Sequence, residues 1–171
     1  MTDTPGPVPR GSKRLVVVRH AKTEGWSTTD HARVLTDRGR RDARDLGRWL
    51  AGIGVVPQVM LVSSAARARQ TAELMAETIS GHPELTLVDA LYGADPDEVL
   101  EECGVLADDV TCAAVVGHNP TMATLADLLL AEEGRVDHFP TSATAVIDVP
   151  GAWGSLPFDS GTLVRLYTPH G

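Results

Sequence analysis

The sequence predicts an α/β fold: a three-layer α/β/α sandwich around a mainly parallel sheet of about six strands. Two observations lead to this prediction. Short runs of apolar and β-branched residues, typical of strands buried on both faces, alternate with segments whose apolar residues recur every three or four positions. This alternation occurs four times, and the last two strands follow one another without a helix between them. We therefore expect an antiparallel strand near the C-terminus.

The first half of the chain contains three predicted strands and two predicted helices. The first helix begins at Thr36, a good N-cap residue, and ends at Gly54. The second helix is expected to be capped by Ser63 or Ser64 and to end at Gly81. The strands are runs of four apolar or β-branched residues at 15–18, 59–62 and 85–88.

The second half contains two further helices and three further strands. A third helix begins at the N-cap Asp95, with Pro96 in its first turn, and carries apolar side chains on one side as far as Leu106. A fourth helix opens at Asn119–Pro120 and is expected to run to about Ala131. The strands are predicted at 112–116, 144–149 and 162–167.

Length and composition predict a single domain. The chain has 171 residues, of which 43% are apolar, enough for one core without a metal or disulfide staple. Residues 1–13 are rich in Pro, Gly and Thr, so we expect a flexible N-terminal tail followed by one domain over residues 14–171. Cys103 and Cys112 lack zinc-site spacing, and we expect two buried thiols.

The charge of the protein bears on its partners. Its net charge is −8 at pH 7, and an acidic surface repels nucleic acid and anionic membranes, so we expect neither as a partner. No apolar run is long enough to span a bilayer, and the N-terminal residues do not resemble a signal peptide. We therefore expect a cytoplasmic protein.

Charged and titratable residues follow several of the predicted strands. In an open parallel sheet, ligands bind beyond the carboxyl ends of the strands. Arg19 and His20 follow the first strand, and Arg67 lies in the first turn of the helix after the second. His118 follows the fourth strand and is itself followed by Asn119. The sequence therefore predicts that two arginines and two histidines meet in one crevice.

These residue types indicate phosphoryl-group chemistry. Arginine presents planar, permanently charged donors that match phosphate oxygens, and a helix N-terminus adds backbone N–H groups. Histidine can act as a nucleophile near neutral pH. The sequence shows no cluster with metal-ligand spacing and no G-x-S-x-G motif, so we expect no metal, no cofactor and no serine nucleophile.

Five short motifs follow one another along the chain. They are LVVVRHAKT at 15–23, LTDRG at 35–39, SSAARARQTA at 63–72, LYGA at 91–94 and VGHNP at 116–120. Together they resemble the histidine phosphatase (phosphoglycerate mutase-like) superfamily, and in particular its small SixA-type phosphohistidine phosphatases. The resemblance runs from about residue 14 to the end, in the order of the family.

The resemblance implies a role for each of the clustered residues. His20 would be the nucleophile that becomes phosphorylated, and the phosphoryl group would be bound by Arg19, Arg67 and His118. The neighbouring arginines are expected to favour the neutral form of His20. Residues expected to complete the site are Thr23 and Asn119 as substrate-binding groups and Asp89, where larger members place a Glu, as the general acid.

Some alternatives remain open at this stage. Arg67 could lie on the helix surface with Arg69 turned inward instead, and Asp89 could be a solvated turn residue.

The leading hypothesis is a metal-independent phosphatase that forms a covalent phosphohistidine and acts on phosphohistidine in proteins. The alternatives are a phosphatase for small phosphomonoesters and, from a different class, a scaffold protein that binds phosphorylated ligands without turnover.

Overall fold

One sheet with helices on both faces makes up the computed structural model of the chain, which describes residues 4–131, 136 and 138–169. The strands are β1 (Ser12–Arg19), β2 (Val59–Ser63), β3 (Glu84–Val88), β4 (Cys112–Gly117), β5 (Thr144–Pro150) and β6 (Thr162–Tyr167). The α-helices are α1 (Asp37–Gly52), α2 (Ala66–Thr78), α3 (Pro96–Cys103) and α4 (Thr121–Leu129). Two single-turn 3-10 helices span Asp89–Leu91 and Trp153–Ser155.

The sheet has the strand order β3-β2-β4-β1-β5-β6. The first four of these strands are parallel to one another, and β5 runs antiparallel to both β1 and β6. The expected three-layer α/β fold is therefore confirmed, with its mainly parallel six-stranded sheet and its antiparallel strand near the C-terminus. The carboxyl ends of β1, β2 and β4 lie at the same edge.

The central strand β1 explains why its sequence is a continuous apolar run. Leu15 and Val17 face a core cluster that contains residues of α3 and α4, whereas Val16 and Val18 face a second cluster with residues of α1 and α2. All four side chains are completely buried. Successive side chains of a strand point to opposite faces, so a strand between two helical layers must be apolar at every position.

Helix capping agrees with the sequence in two helices. The Oγ1 of Thr36 accepts a hydrogen bond from Gly39 N at 2.9 Å, as expected of an N-cap. Asp95 and Glu98 form a capping box, in which each side chain accepts a hydrogen bond from the backbone N–H of the other residue.

Other helix ends differ from the prediction. The N-cap of α2 is Ala65, without a side-chain cap, so the expected Ser63 or Ser64 cap is wrong. Helix α3 ends at Cys103, before Leu106, and α4 spans only Thr121–Leu129. After α4 the backbone becomes extended, and Leu130 pairs with Gly161 in an isolated β-bridge.

The N-terminal segment joins the sheet earlier than expected. Strand β1 begins at Ser12, within the predicted tail 1–13, and Arg14 Nη2 donates a hydrogen bond to Gly6 O at 3.1 Å. The division into tail and domain stays a prediction. Cys103 and Cys112 are free and buried, as expected. Within the described residues, no helix has the length and apolarity needed to cross a membrane.

Close contact between α1 and α2 depends on a glycine. A Cβ on Gly47 would overlap the Met75 carbonyl oxygen and the Thr78 hydroxyl of α2. We expect Gly47→Ala to lower the free energy of unfolding by roughly 1–3 kcal/mol, because a backbone atom cannot move aside cheaply. Gly52→Ala in the same helix, where a Cβ meets nothing within 4 Å, is the matched control and should change it by less than about 1 kcal/mol. Urea denaturation measures both, and equal effects would contradict this explanation of the α1–α2 packing.

Candidate active site

The carboxyl ends of β1, β4 and β2 bring two histidines and a serine together. The N–H of His20 donates to Gly117 O at 3.0 Å, which continues the pairing of β1 and β4 one residue beyond β1. The imidazole rings of His20 and His118 lie side by side, with their centroids 5.2 Å apart. His118 Nε2 is 2.8 Å from the hydroxyl of Ser63, the last residue of β2.

The ring of His20 is buried, and one of its nitrogens is engaged. Its Nδ1 lies 2.8 Å from the carbonyl oxygen of Ala21. A carbonyl oxygen can only accept, so Nδ1 carries the proton and Nε2 of the neutral ring keeps its lone pair. The pKa of His20 is lowered to about 3, mainly by burial; the hydrogen bond to Ala21 O raises it, and the charges of His118, Arg67 and Arg19 lower it. The two arginines lower the pKa of His20, as expected from the sequence, although burial is the larger cause.

The backbone around His20 is fixed by two neighbouring segments. Ala21 N donates to Thr71 Oγ1 at 2.9 Å, and the Thr71 hydroxyl donates to Arg67 O at 2.7 Å, which ties the loop to α2. On the other side, Ser142 N donates to His20 O at 3.0 Å. Ser142 has a φ of 66°, an uncommon conformation for a residue with a side chain. The backbone of the nucleophile candidate is therefore hydrogen-bonded to segments on both sides.

His118 is held by its ring contacts. Burial lowers its pKa to about 4, with Arg67 contributing in the same direction, so the ring is neutral at pH 7. The ring of Tyr92 meets it edge to face, with centroids 5.6 Å apart. Its buried Nδ1 makes no hydrogen bond with the part of the chain that the structure describes.

Two arginines lie at the same edge of the sheet. Arg19 Nη1 donates to Phe139 O at 3.2 Å, and Arg67 contacts the ring of Tyr92, with its guanidinium carbon 5.9 Å from the ring centroid. Arg67 is buried, whereas Arg69 lies on the helix surface and forms an ion pair with Glu73. Of the two candidates in α2, Arg67 is therefore the inward one. The Nε atoms of Arg19 and Arg67 are buried without a partner among the described residues.

Asp30 is a central residue of this cluster that sequence reasoning missed. Its carboxylate accepts from Arg67 Nη2 at 3.0 Å, from Arg33 Nη1 at 3.1 Å and from the Tyr92 hydroxyl at 2.6 Å. Its backbone oxygen also accepts from Arg67 Nη1 at 2.7 Å. The hydrogen bonds from Tyr92 and Arg33 hold the pKa of Asp30 well below its usual range. Asp30 thus provides the counter-charge that a buried arginine requires.

The three remaining predicted site residues differ in their hydrogen-bond partners. Thr23 Oγ1 accepts from Arg33 Nη2 at 2.7 Å and so connects to Asp30. Asn119 Nδ2 donates to Phe139 O at 2.8 Å, and its Oδ1 accepts from Ala123 N, so the carbonyl and one of the two N–H groups of this amide are used within the fold. Asp89 is exposed at the start of a 3-10 turn, and its carbonyl accepts from Tyr92 N. No described residue forms a hydrogen bond or ion pair with its carboxylate.

Comparison with known proteins identifies the family. The family model for the histidine phosphatase superfamily, branch 1, matches residues 15–95. The SixA protein of Nakamurella multipartitia, assigned as a phosphohistidine phosphatase, is 32% identical; its structure superposes with a TM-score of 0.85 and covers 95% of this chain and 99% of that one. This chain belongs to the histidine phosphatase superfamily.

Two further relatives match this histidine phosphatase over nearly their whole length. An uncharacterized protein of Mycobacterium tuberculosis (strain H37Rv) is 37% identical over 161 residues, 89% of this chain and 99% of the relative. The protein histidine phosphatase SixA, solved in complex with tungstate, is 25% identical with a TM-score of 0.75, over 90% of this chain and 95% of that one. The chain is thus a phosphatase of the SixA type, as its motifs indicated.

The two neutral histidines make stability depend on pH. Their pKa values in the folded protein, about 3 and about 4, lie below the ordinary value of about 6.5, so the unfolded chain binds more protons between these limits. The stability they contribute is complete above about pH 6.5 and is lost as the pH falls through about 4 for His118 and about 3 for His20. We expect His20→Gln to make the free energy of unfolding fall less steeply between pH 7 and pH 4 than in the wild type. Equal slopes in urea denaturation would contradict the assignment of a neutral, buried His20.

Proposed function

We propose that this phosphatase hydrolyses phosphohistidine in proteins through a covalent phosphohistidine formed at Nε2 of His20. The observation that carries the proposal is the hydrogen bond between His20 Nδ1 and the carbonyl of Ala21. This bond leaves the lone pair of the neutral ring on Nε2, and burial keeps the ring neutral at physiological pH. The nucleophile therefore needs no base to activate it.

In the first step, Nε2 of His20 attacks phosphorus, a new N–P bond forms, and the bond from phosphorus to the leaving imidazole breaks. Positive charge that develops on the His20 ring is stabilised by the Nδ1–H bond to Ala21 O. Arg19, Arg67 and His118 supply the donors for the phosphoryl oxygens, through the nitrogen atoms that have no partner in the described structure. The arginines thereby supply the positive charge in a metal-independent reaction.

In the second step, water attacks the phosphorus of phosphorylated His20. The N–P bond breaks, inorganic phosphate leaves, and the His20 ring returns to its neutral form as the proton lost by water passes to the phosphate product. Asp89 is proposed, on the resemblance to the family, to protonate the substrate imidazole that leaves in the first step and then to regain a proton from solvent. Thr23 and Asn119 are proposed to contact substrate. A leaving imidazole needs less assistance from an acid than an alkoxide does.

The substrate class rests on the SixA relatives and on the exposure of two residues beside the site. The SixA protein that was solved with tungstate is a protein histidine phosphatase, and tungstate is an oxyanion like phosphate. Asp30 and Tyr92, which contact Arg67, are exposed, and this supports the approach of a phosphorylated side chain on another protein from their side of the site. The two free buried cysteines agree with a reducing compartment, and we place the enzyme in the cytoplasm.

A covalent intermediate can be trapped with an aryl phosphate. We expect mass spectrometry after an alkaline quench to show one phosphoryl adduct on the wild type, located on His20. His20→Ala should lose the adduct and lower turnover by at least about a thousandfold, because the nucleophile is gone. His82→Ala, which removes an exposed histidine, is the matched control and should keep both.

Turnover that survives in His20→Ala would overturn the nucleophile assignment. The same preparation should be tested on a phosphohistidine-containing protein and on a panel of sugar phosphates and nucleotides. The proposal predicts that kcat/KM is highest for the phosphohistidine-containing protein substrate. A higher value for a small phosphomonoester would favour the metabolite phosphatase instead. Tight binding of ligand without release of phosphate would favour the scaffold protein.

A further inference from the structure

Ser63, the last residue of β2, contacts the ring of His118. Its side chain is completely buried, and its Oγ lies 2.8 Å from His118 Nε2. The position follows from the sheet register, because Val62 pairs with Val116 and the next residue of β2 therefore reaches the end of β4. The family resemblance gave Ser63 a place in a motif, and the sequence suggested a helix cap. The structure gives its hydroxyl another partner.

The protons around this hydroxyl can be assigned from its contacts. Ser63 Oγ is within hydrogen-bond distance of His118 Nε2 and of the backbone N–H of Ala65, the latter at 3.3 Å. The N–H of Ala65 can only donate, so among the described residues the hydroxyl proton has one acceptor, His118 Nε2. If Nε2 carried a proton instead, the buried hydroxyl would have no acceptor. A buried donor left without an acceptor is destabilising.

The other nitrogen of His118 then carries the ring proton. Partial burial and Arg67 keep the ring neutral at pH 7, so it holds one proton. With Nε2 accepting from Ser63, that proton is on Nδ1, which is buried and has no partner among the described residues. Nδ1 is therefore a donor, and not an acceptor whose lone pair would repel a phosphoryl oxygen.

We infer that Ser63 is a positioning residue: its hydroxyl fixes His118 in the Nδ1-protonated tautomer, so that a neutral His118 offers an N–H donor to the phosphoryl group. The inference rests on the proposed function, in which His118 binds the phosphoryl oxygens. It also explains how one tautomer serves two roles. The Nδ1–H of His20 is bound to a carbonyl and leaves a nucleophilic Nε2, whereas the Nε2 of His118 is bound to Ser63 and leaves a donor at Nδ1.

The tautomer can be read directly by NMR. With ¹⁵N-labelled histidine at pH 7, long-range ¹⁵N–¹H correlations distinguish the protonated ring nitrogen from the unprotonated one. We expect His118 in the wild type to be protonated at Nδ1. Ser63→Ala should give a mixture with the Nε2-protonated form, and Ser63→Thr, which keeps the hydroxyl, should retain the wild-type tautomer. A wild-type His118 protonated at Nε2 would overturn the inference without any variant.

A matched control is available in the adjacent residue. The Ser64 hydroxyl lies 3.1 Å from Nε2 of the exposed His31. Ser64→Ala should therefore leave the tautomer of His118 and the kcat/KM unchanged. Loss of the wild-type tautomer in this variant would show that it does not depend on Ser63 specifically, and would overturn the inference.

Kinetics separate a positioning role from a structural one. We expect Ser63→Ala to lower kcat/KM for an aryl phosphate about tenfold. This is the scale of one hydrogen bond to a charged group, here the bond from His118 Nδ1–H to the phosphoryl oxygens. In a His118→Ala background the same substitution should cause no further loss, because the ring it orients is absent. An equal loss in both backgrounds would overturn the inference. The NMR result needs no turnover, so failure of the proposed function would appear separately, as a missing adduct on His20.

Discussion

The parallel pairing of β1 with β4 at the centre of the sheet determines the site. It places Arg19 opposite Gly117, and the His20 N–H continues the hydrogen-bond ladder to the Gly117 carbonyl. His20 and His118 therefore stand side by side, although 98 positions separate them in the sequence. Helices on both faces bury the side chains of residues 15–18 of β1 completely, which keeps the backbone that leads to His20 in place. A shift of one residue in this register would turn the apolar side chains of β1 to the opposite faces of the sheet and separate the two rings.

Burial and charge act together on the side chains that follow these strands. Removing two imidazoles from water keeps both neutral, and the nearby arginines act in the same direction. A buried arginine in turn requires a counter-charge, which the Asp30 carboxylate supplies to Arg67, while the Asp30 backbone carbonyl accepts a second hydrogen bond from it. Through Arg67 and Tyr92, Asp30 connects the loop between β1 and α1 to α2 and to the segment after β3. In the proposed reaction, this network supplies a neutral nucleophile beside fixed positive charge.

Sequence patterns predicted the features that depend on local or periodic information. The strands, the Thr36 and Asp95 caps and the clustering of His20 with His118 follow from apolar runs, capping preferences and the strand-end rule. Asp30 was not predicted because it lies ten residues beyond His20 in a loop without periodicity, and its contact with Arg67, which is distant in sequence, leaves no local signal. The prediction of a serine cap for α2 is wrong for a related reason. The Ser63 hydroxyl makes its shorter contact with His118, which is distant in sequence, and its longer contact with Ala65 of its own segment. The loop after β1 satisfies the strand-end rule, so applying that rule to whole loops could have included Asp30.

The central claim is that the hydrogen bond from His20 Nδ1 to the Ala21 carbonyl selects Nε2 as the nucleophile. The most direct measurement is the position of phosphorus on the ring in the trapped phosphoenzyme, read from ³¹P–¹H and ³¹P–¹⁵N couplings to the labelled imidazole. The account predicts phosphorus on Nε2 of His20, with Nδ1 still protonated. Phosphorus on Nδ1, or on a residue other than His20, would contradict it.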